Sequence, residues 1–181
     1  MRRRRLLRNH RKISYLSSNQ VGIDINNPNG DDIEVQLRDY KGKVIKTNFS
    51  YFYSTFSLSK NKLYSYRIRG VYYVNGEYVP YTNWSNSVYF TTAQYKVTRV
   101  GKGRKVKIKT PKVAGIKNYK IYMSLKKNGG WKKLKTVKAG KSIIGSKFKG
   151  KPFKLYTNYY YKIVPNKGSY YINGFYFYNK R

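Results

Sequence analysis

The chain has 181 residues, with 40 lysines and arginines against six carboxylates, one histidine and no cysteine, for a formal net charge of +34. The absence of thiols rules out Cys-His and thiolate-zinc constellations on inventory, no Ser-His-Asp triad is expected because the single histidine, His10, sits among the arginines of the first dozen residues, and no disulfide can hold the fold. No run of roughly 18 apolar residues occurs, so no helical membrane span is expected, and no cofactor or catalytic residue is assigned.

Residues 1–12 form an arm with seven cations, Arg2, Arg3, Arg4, Arg5, Arg8, Arg11 and Lys12. It lacks the apolar stretch of a secretory leader, which argues against Sec-type export. Arginine's planar fork makes bidentate contacts to phosphate or carboxylate, so these seven are expected to bind an anionic partner. Residues 13–93 carry eight cations and all six acids, Asp24, Asp31, Asp32, Glu34, Asp39 and Glu77. Residues 94–181 carry 25 cations and no acid. Ordinary solvated faces intersperse both signs. A surface of one sign repels itself, which points to something anionic lying against it.

Beyond the arm, apolar residues alternate with polar ones in 21–25, 33–37 and 106–109, the pattern of half-buried antiparallel strands. Turn signals separate such runs: Asn29-Gly30, Lys41-Gly42, Asn75-Gly76, Asn128-Gly129-Gly130 and Asn173-Gly174. Short strands punctuated in this way predict an all-β sandwich or barrel. An internal repeat sets the domain count. Tyr64-Ser65-Tyr66-Arg67-Ile68-Arg69 is echoed by Tyr159-Tyr160-Tyr161-Lys162-Ile163-Val164, and the hairpin Tyr72-Tyr73-Val74-Asn75-Gly76 by Tyr170-Tyr171-Ile172-Asn173-Gly174. Two domains follow, residues 13–93 and 94–181.

These segments resemble the fibronectin type III family. Tyr64 to Arg69 is similar to that family's F strand, with Leu58 six residues ahead as the leucine of its tyrosine corner, and Phe153 with Tyr159 repeats the spacing. Trp84 to Thr92 resembles its G strand, and Gly115 to Tyr122 its C strand. The resemblance implies two tandem antiparallel β-sandwiches and an adaptor scaffold, which identifies no reaction.

In the second domain the expected partner contacts are Lys102, Arg104, Lys105, Lys132, Lys133 and Lys135. Tyr72, Tyr73, Tyr78 and Tyr81 near the Asn75-Gly76 tip are candidates for a loop contact, since a tyrosine ring can stack while its hydroxyl stays wet. Asp31, Asp32 and Glu34 beside Gly30 suit a turn better than a cation site, whose ligand density they lack, and no metal is expected. Together these features imply a non-enzymatic structural or auxiliary virion protein, a capsid or tail decoration or connector in an oligomeric setting. It would dock on acidic virion proteins and contact packaged nucleic acid, with the virion as its location. The alternatives are a nucleic-acid-binding protein that ignores sequence and a module for cell-surface polysaccharide.

Overall fold

A computed structural model describes residues 11–25, 27, 30–101 and 104–176; the cations Arg2, Arg3, Arg4, Arg5, Arg8 and Lys102 lie outside them. The fold is all-β, and the chain divides into two compact units between Thr92 and Ala93.

The first unit contains β1 (Arg11–Leu16), β2 (Gln20–Ile25), β3 (Asp32–Asp39), β4 (Val44–Ser50), β5 (Tyr53–Ser57), β6 (Leu63–Val74), β7 (Glu77–Pro80) and β8 (Val88–Thr91). One sheet has the order β1-β2-β5; the other runs β4-β3-β6, with β7 and β8 sharing the far edge of β6. All pairs are antiparallel. Alternation puts Val21, Ile23 and Ile25 of the first sheet against Val35, Leu37, Tyr66, Ile68 and Phe90 of the second, all buried in one core. Each such aliphatic side chain contributes about 1.5–3 kcal/mol by leaving water. The first strand opens at Arg11, so Arg11 and Lys12, assigned to the arm from charge alone, pair in the ladder with Ile25 and Asp24.

The second unit contains β9 (Lys96–Arg99), β10 (Val106–Lys109), β11 (Asn118–Ser124), β12 (Lys132–Lys138), β13 (Ser142–Gly145), β14 (Lys147–Phe148), β15 (Lys151–Pro152), β16 (Asn158–Pro165) and β17 (Tyr171–Tyr176). Its sheets run β9-β10-β13 and β12-β11-β16-β17, with a small β14-β15 hairpin besides. The pairing of a three-stranded sheet with a larger one repeats that of the first unit, whose larger sheet has five strands, with β11 in the place of β3 and β16 in that of β6.

Two side chains fix the likeness. The Tyr64 hydroxyl accepts a hydrogen bond from the Ser59 amide at 2.9 Å, and the Tyr159 hydroxyl accepts one from the Lys154 amide at 2.8 Å. Each reaches back five residues from the start of its strand, the tyrosine corner of such sandwiches. Leu58 packs on the first core, and Phe153 is fully buried in the second, 4.8 Å from the Tyr159 ring.

The turn signals divide. Asn75 and Gly76 have φ of 51° and 86°, as a type I′ hairpin requires. Asn173-Gly174 is not a turn but the middle of β17, and the chain reverses earlier, where Gly168 has φ 103°. Gly174 has another use: a Cβ there would meet the Tyr160 ring at 3.2 Å, so its lack of side chain lets that ring lie on the strand.

Candidate functional site

In both sandwiches the outer face of the larger sheet carries the unusual chemistry. On the first, Glu34 faces Arg69 across β3 and β6, and Gln36 faces Arg67. Arg69 Nε donates to Glu34 Oε2 at 2.6 Å, and Arg67 donates twice to Gln36 Oε1 at 3.1 and 2.9 Å. Glu34 is only 6% exposed, so its charge depends on that guanidinium. Trp84 completes the arrangement, with both guanidiniums over its ring at 4.1 and 4.3 Å. Burial, followed by the nearby charges of Arg38 and Arg69, pushes Arg67 below the usual arginine range. Trp84 is positioned by the irregular segment between β7 and β8: the Ile68 amide donates to Ser85 Oγ at 2.9 Å, and the Ser85 amide donates to the Ile68 carbonyl at 2.8 Å. A serine thus replaces a strand residue and keeps the edge of β6 satisfied.

At one end of the same sandwich, the β6–β7 hairpin brings the predicted tyrosines together on two faces. Tyr73 and Tyr78 oppose each other in the ladder with ring centroids 4.9 Å apart, and Tyr78 stacks on Phe49 of β4 at 3.8 Å and 5°. On the other face Tyr72 stacks on Tyr81 at 4.2 Å, and the Tyr81 hydroxyl donates to Asp31 Oδ2 at 2.7 Å. Gly70 makes room for Tyr81, since a Cβ there would meet its ring at 2.5 Å. Asp32, by its charge and a hydrogen bond, raises the Tyr51 hydroxyl above the usual tyrosine range. Asp31, Asp32 and Glu34 therefore hold a tyrosine, a second tyrosine and an arginine. Residues 49 and 51 were missed in the sequence because they lie on β4 and the turn after it, away from the tip.

The second sandwich has a different outer face. Lys120 stands where Glu34 does, opposite Val164; Tyr122 stands where Gln36 does, opposite Lys162. The Lys162 ammonium lies over three rings, Trp131 at 4.9 Å, Tyr122 at 5.4 Å and Tyr170 at 5.6 Å. Every described lysine and arginine of this unit is exposed except Lys162 and Lys167, which are half-buried. Lys162 is thus drawn down among the rings by cation–π attraction. Around it on the same face, register places Lys133 beside Tyr122, Lys138 beside Asn118, and Tyr160 over Gly174.

The predicted cations of this unit fall on both sheets. Arg104 and Lys105 are exposed at the turn between β9 and β10, where the Val100 amide donates to the Lys105 carbonyl at 3.0 Å. Lys132, Lys133 and Lys135 are exposed on β12, an edge strand of the four-stranded sheet. Lys135 also borders an open cleft of about 560 Å3 between β12 and β13, with Leu134, Ile144 and Lys147. Among the described residues no helix is long and apolar enough to cross a membrane. Tyr122, Trp131, Tyr160, Lys162 and Tyr170 were not picked out from the sequence. Aligning the C strand with the F strand, residue against residue, is the signal that would have gathered them.

No protein-family model and no curated protein sequence matches the chain. Among solved structures it is similar to a two-domain fibronectin type III segment of chicken tenascin, at 12% identity and a TM-score of 0.35, over 92% of this chain and 97% of that one. It is also similar to the receptor tyrosine kinase Torso, at 11% identity and 0.35, over 93% and 72%. A third likeness is to the central fibronectin III array of RIM-binding protein, at 12% and 0.32, over 94% and 68%. The paired sheets and the two tyrosine corners, taken from the chain's own geometry, make it two consecutive fibronectin III-like β-sandwiches.

Proposed function

We propose that this chain is a non-enzymatic structural or auxiliary protein of a virion, a decoration or connector of capsid or tail. It docks through its basic second domain and its arginine-rich first residues on an anionic partner, either an acidic virion surface or packaged nucleic acid. The observation that carries the reading is the second sandwich: no carboxylate follows Glu77, and nearly all its described cations stand in solvent. Lysines on an edge strand such as β12 discourage pairing with another strand, which accounts for their position but not for the missing acids. A surface of one sign is stabilised when an opposite charge is brought against it.

The test is incorporation into particles. Mass spectrometry of purified virions finds the chain, and deletion of residues 1–10, which stops short of β1, lowers its incorporation. Equal incorporation of the shortened chain removes the arm from the proposal, and absence of the chain from particles overturns it.

A second reading, binding to nucleic acid without regard to sequence, is favoured by one observation: aromatic rings and lysines share the outer face of β11 and β16. Docking on an acidic lattice would not need the rings.

A further inference from the structure

We infer that the outer face of the β12-β11-β16-β17 sheet is a binding platform for single-stranded nucleic acid. Its rings are Tyr122, Trp131, Tyr160 and Tyr170, and its phosphate-facing cations are Lys120, Lys133 and Lys138. The inference rests on the reading that the second domain docks on an anion, and it names the anion.

Three observations converge on this one face. First, the ladder places Lys120, Tyr122, Lys133 and Lys138 on β11 and β12 on the side opposite the buried Tyr119, Ile121 and Met123. Tyr160 and Lys162 on β16 point the same way. Second, the rings are held in place rather than loose. Lys162 gathers Tyr122, Trp131 and Tyr170 around its ammonium, and Gly174 leaves space for Tyr160 to lie against β17. Tyr170 is 63% exposed, which leaves much of its surface for a ligand. Third, no carboxylate occurs in this domain to repel a phosphate.

Those features select among polyanions. Duplex DNA has the denser charge, so lysines alone would prefer it; its bases are stacked internally and cannot use the rings. A single strand offers both phosphates for the lysines and base faces for the aromatic side chains, and such stacking is tolerant of sequence because every base has a π-face. The equivalent face of the first sandwich is less suited to phosphate, because a carboxylate, Glu34, stands there and Arg69 is already paired with it.

The experiment uses the full chain with fluorescein-labelled oligo(dT) of 20 nucleotides, a 20-base-pair duplex, heparin and polyglutamate, each titrated at several salt concentrations. Oligo(dT) binds more tightly than the duplex, and it quenches tryptophan fluorescence in a way that Trp131→Phe largely abolishes. Tyr170→Ala and Trp131→Ala each weaken oligo(dT) binding roughly 5- to 150-fold, the span that loss of one stacked base gives. They leave duplex binding unchanged, and Tyr170→Phe restores the affinity. Thermal melting of each variant separates loss of contact from loss of fold. Duplex preference, or oligo(dT) binding indifferent to Tyr170 and Trp131, overturns the platform while leaving anion docking intact. Preference for polyglutamate overturns it in favour of an acidic protein, and binding to none of the four overturns anion docking itself.

Discussion

At the register level where Glu34 meets Arg69 in the first sandwich, the second puts Lys120 beside Val164. The backbone ladder is the same, yet one face engages its two guanidiniums internally, one with a carboxylate and one with an amide, and the other exposes most of its cations. In the first, a carboxylate, an amide and an indole occupy two guanidiniums, so the face is satisfied within the domain. In the second, Lys162 is drawn inward, and rings rather than acids hold it. A charge held by rings keeps its sign at the surface, whereas a charge paired with a carboxylate does not. Fold and electrostatic role are therefore set by different residues of the same strands: inward positions by packing, outward positions by what the domain must meet.

The widest break between the two faces comes from exchanging their charges. Glu34→Lys removes the counter-charge of Arg69 and adds a like one in a nearly closed position, and we expect the first domain to lose about 3–5 kcal/mol in urea unfolding. Lys120→Glu, exposed and opposite Val164, changes the second domain by no more than about 0.5 kcal/mol. Equal costs in the two domains would end the distinction between them. A smaller difference separates two of the glycines that admit a ring. Gly70→Ala displaces Tyr81 from Asp31 and costs about 1–3 kcal/mol, while Gly174→Ala, with 3.2 Å to the Tyr160 ring, costs less than Gly70→Ala in the same assay.

The tyrosine corners should behave alike. Tyr64→Phe and Tyr159→Phe each remove the hydrogen bond accepted from a backbone amide, with Tyr64 also losing a long one donated to the Ser59 carbonyl, and lower the melting stability of their own domains by about 1 kcal/mol. A marked inequality would show that the corner matters in only one of them. The smallest effect near neutral pH is at Tyr119, fully buried, whose hydroxyl finds no hydrogen-bond partner among the described residues. Tyr119→Phe leaves stability unchanged or raises it by up to about 1 kcal/mol. Burial also pushes this hydroxyl far above the ordinary tyrosine range. Unfolded tyrosine ionises first, so stability is unaffected below about pH 10 and falls as pH climbs past it. Alkaline unfolding monitored by circular dichroism should therefore show Tyr119→Phe outlasting the parent chain.

Much of the fold was legible because its signals are local. Alternation marked 21–25, 33–37 and 106–109, and all three became strands with their apolar side chains inward. The repeat carried the two tyrosine corners. Asn173-Gly174 misled for a physical reason: the dipeptide favours a turn, but glycine is equally suited to a strand on which a ring must lie, and only the tertiary partner decides. Glu34 read as a turn acid beside Gly30, since its arginine is 35 residues away in sequence. Charge polarity identified the second domain as the interesting one, yet it weighted lysine runs such as 132–135. It passed over Lys162, a single cation whose surroundings come from three different strands or their ends.

Unlike charges at equivalent positions also matter while the chain is being made. Two similar sandwiches in one polypeptide can exchange strands, and misassembly between neighbouring repeats is a known hazard of such chains. A nascent β11 settling against β6 would bring Lys120 to Arg69 and offer Arg67 a phenol in place of its amide. A β3 settling against β16 would strand Glu34 beside Val164. The internal ion pair of the first domain therefore disfavours the exchanged pairings, one by repulsion and the other by an unmet carboxylate.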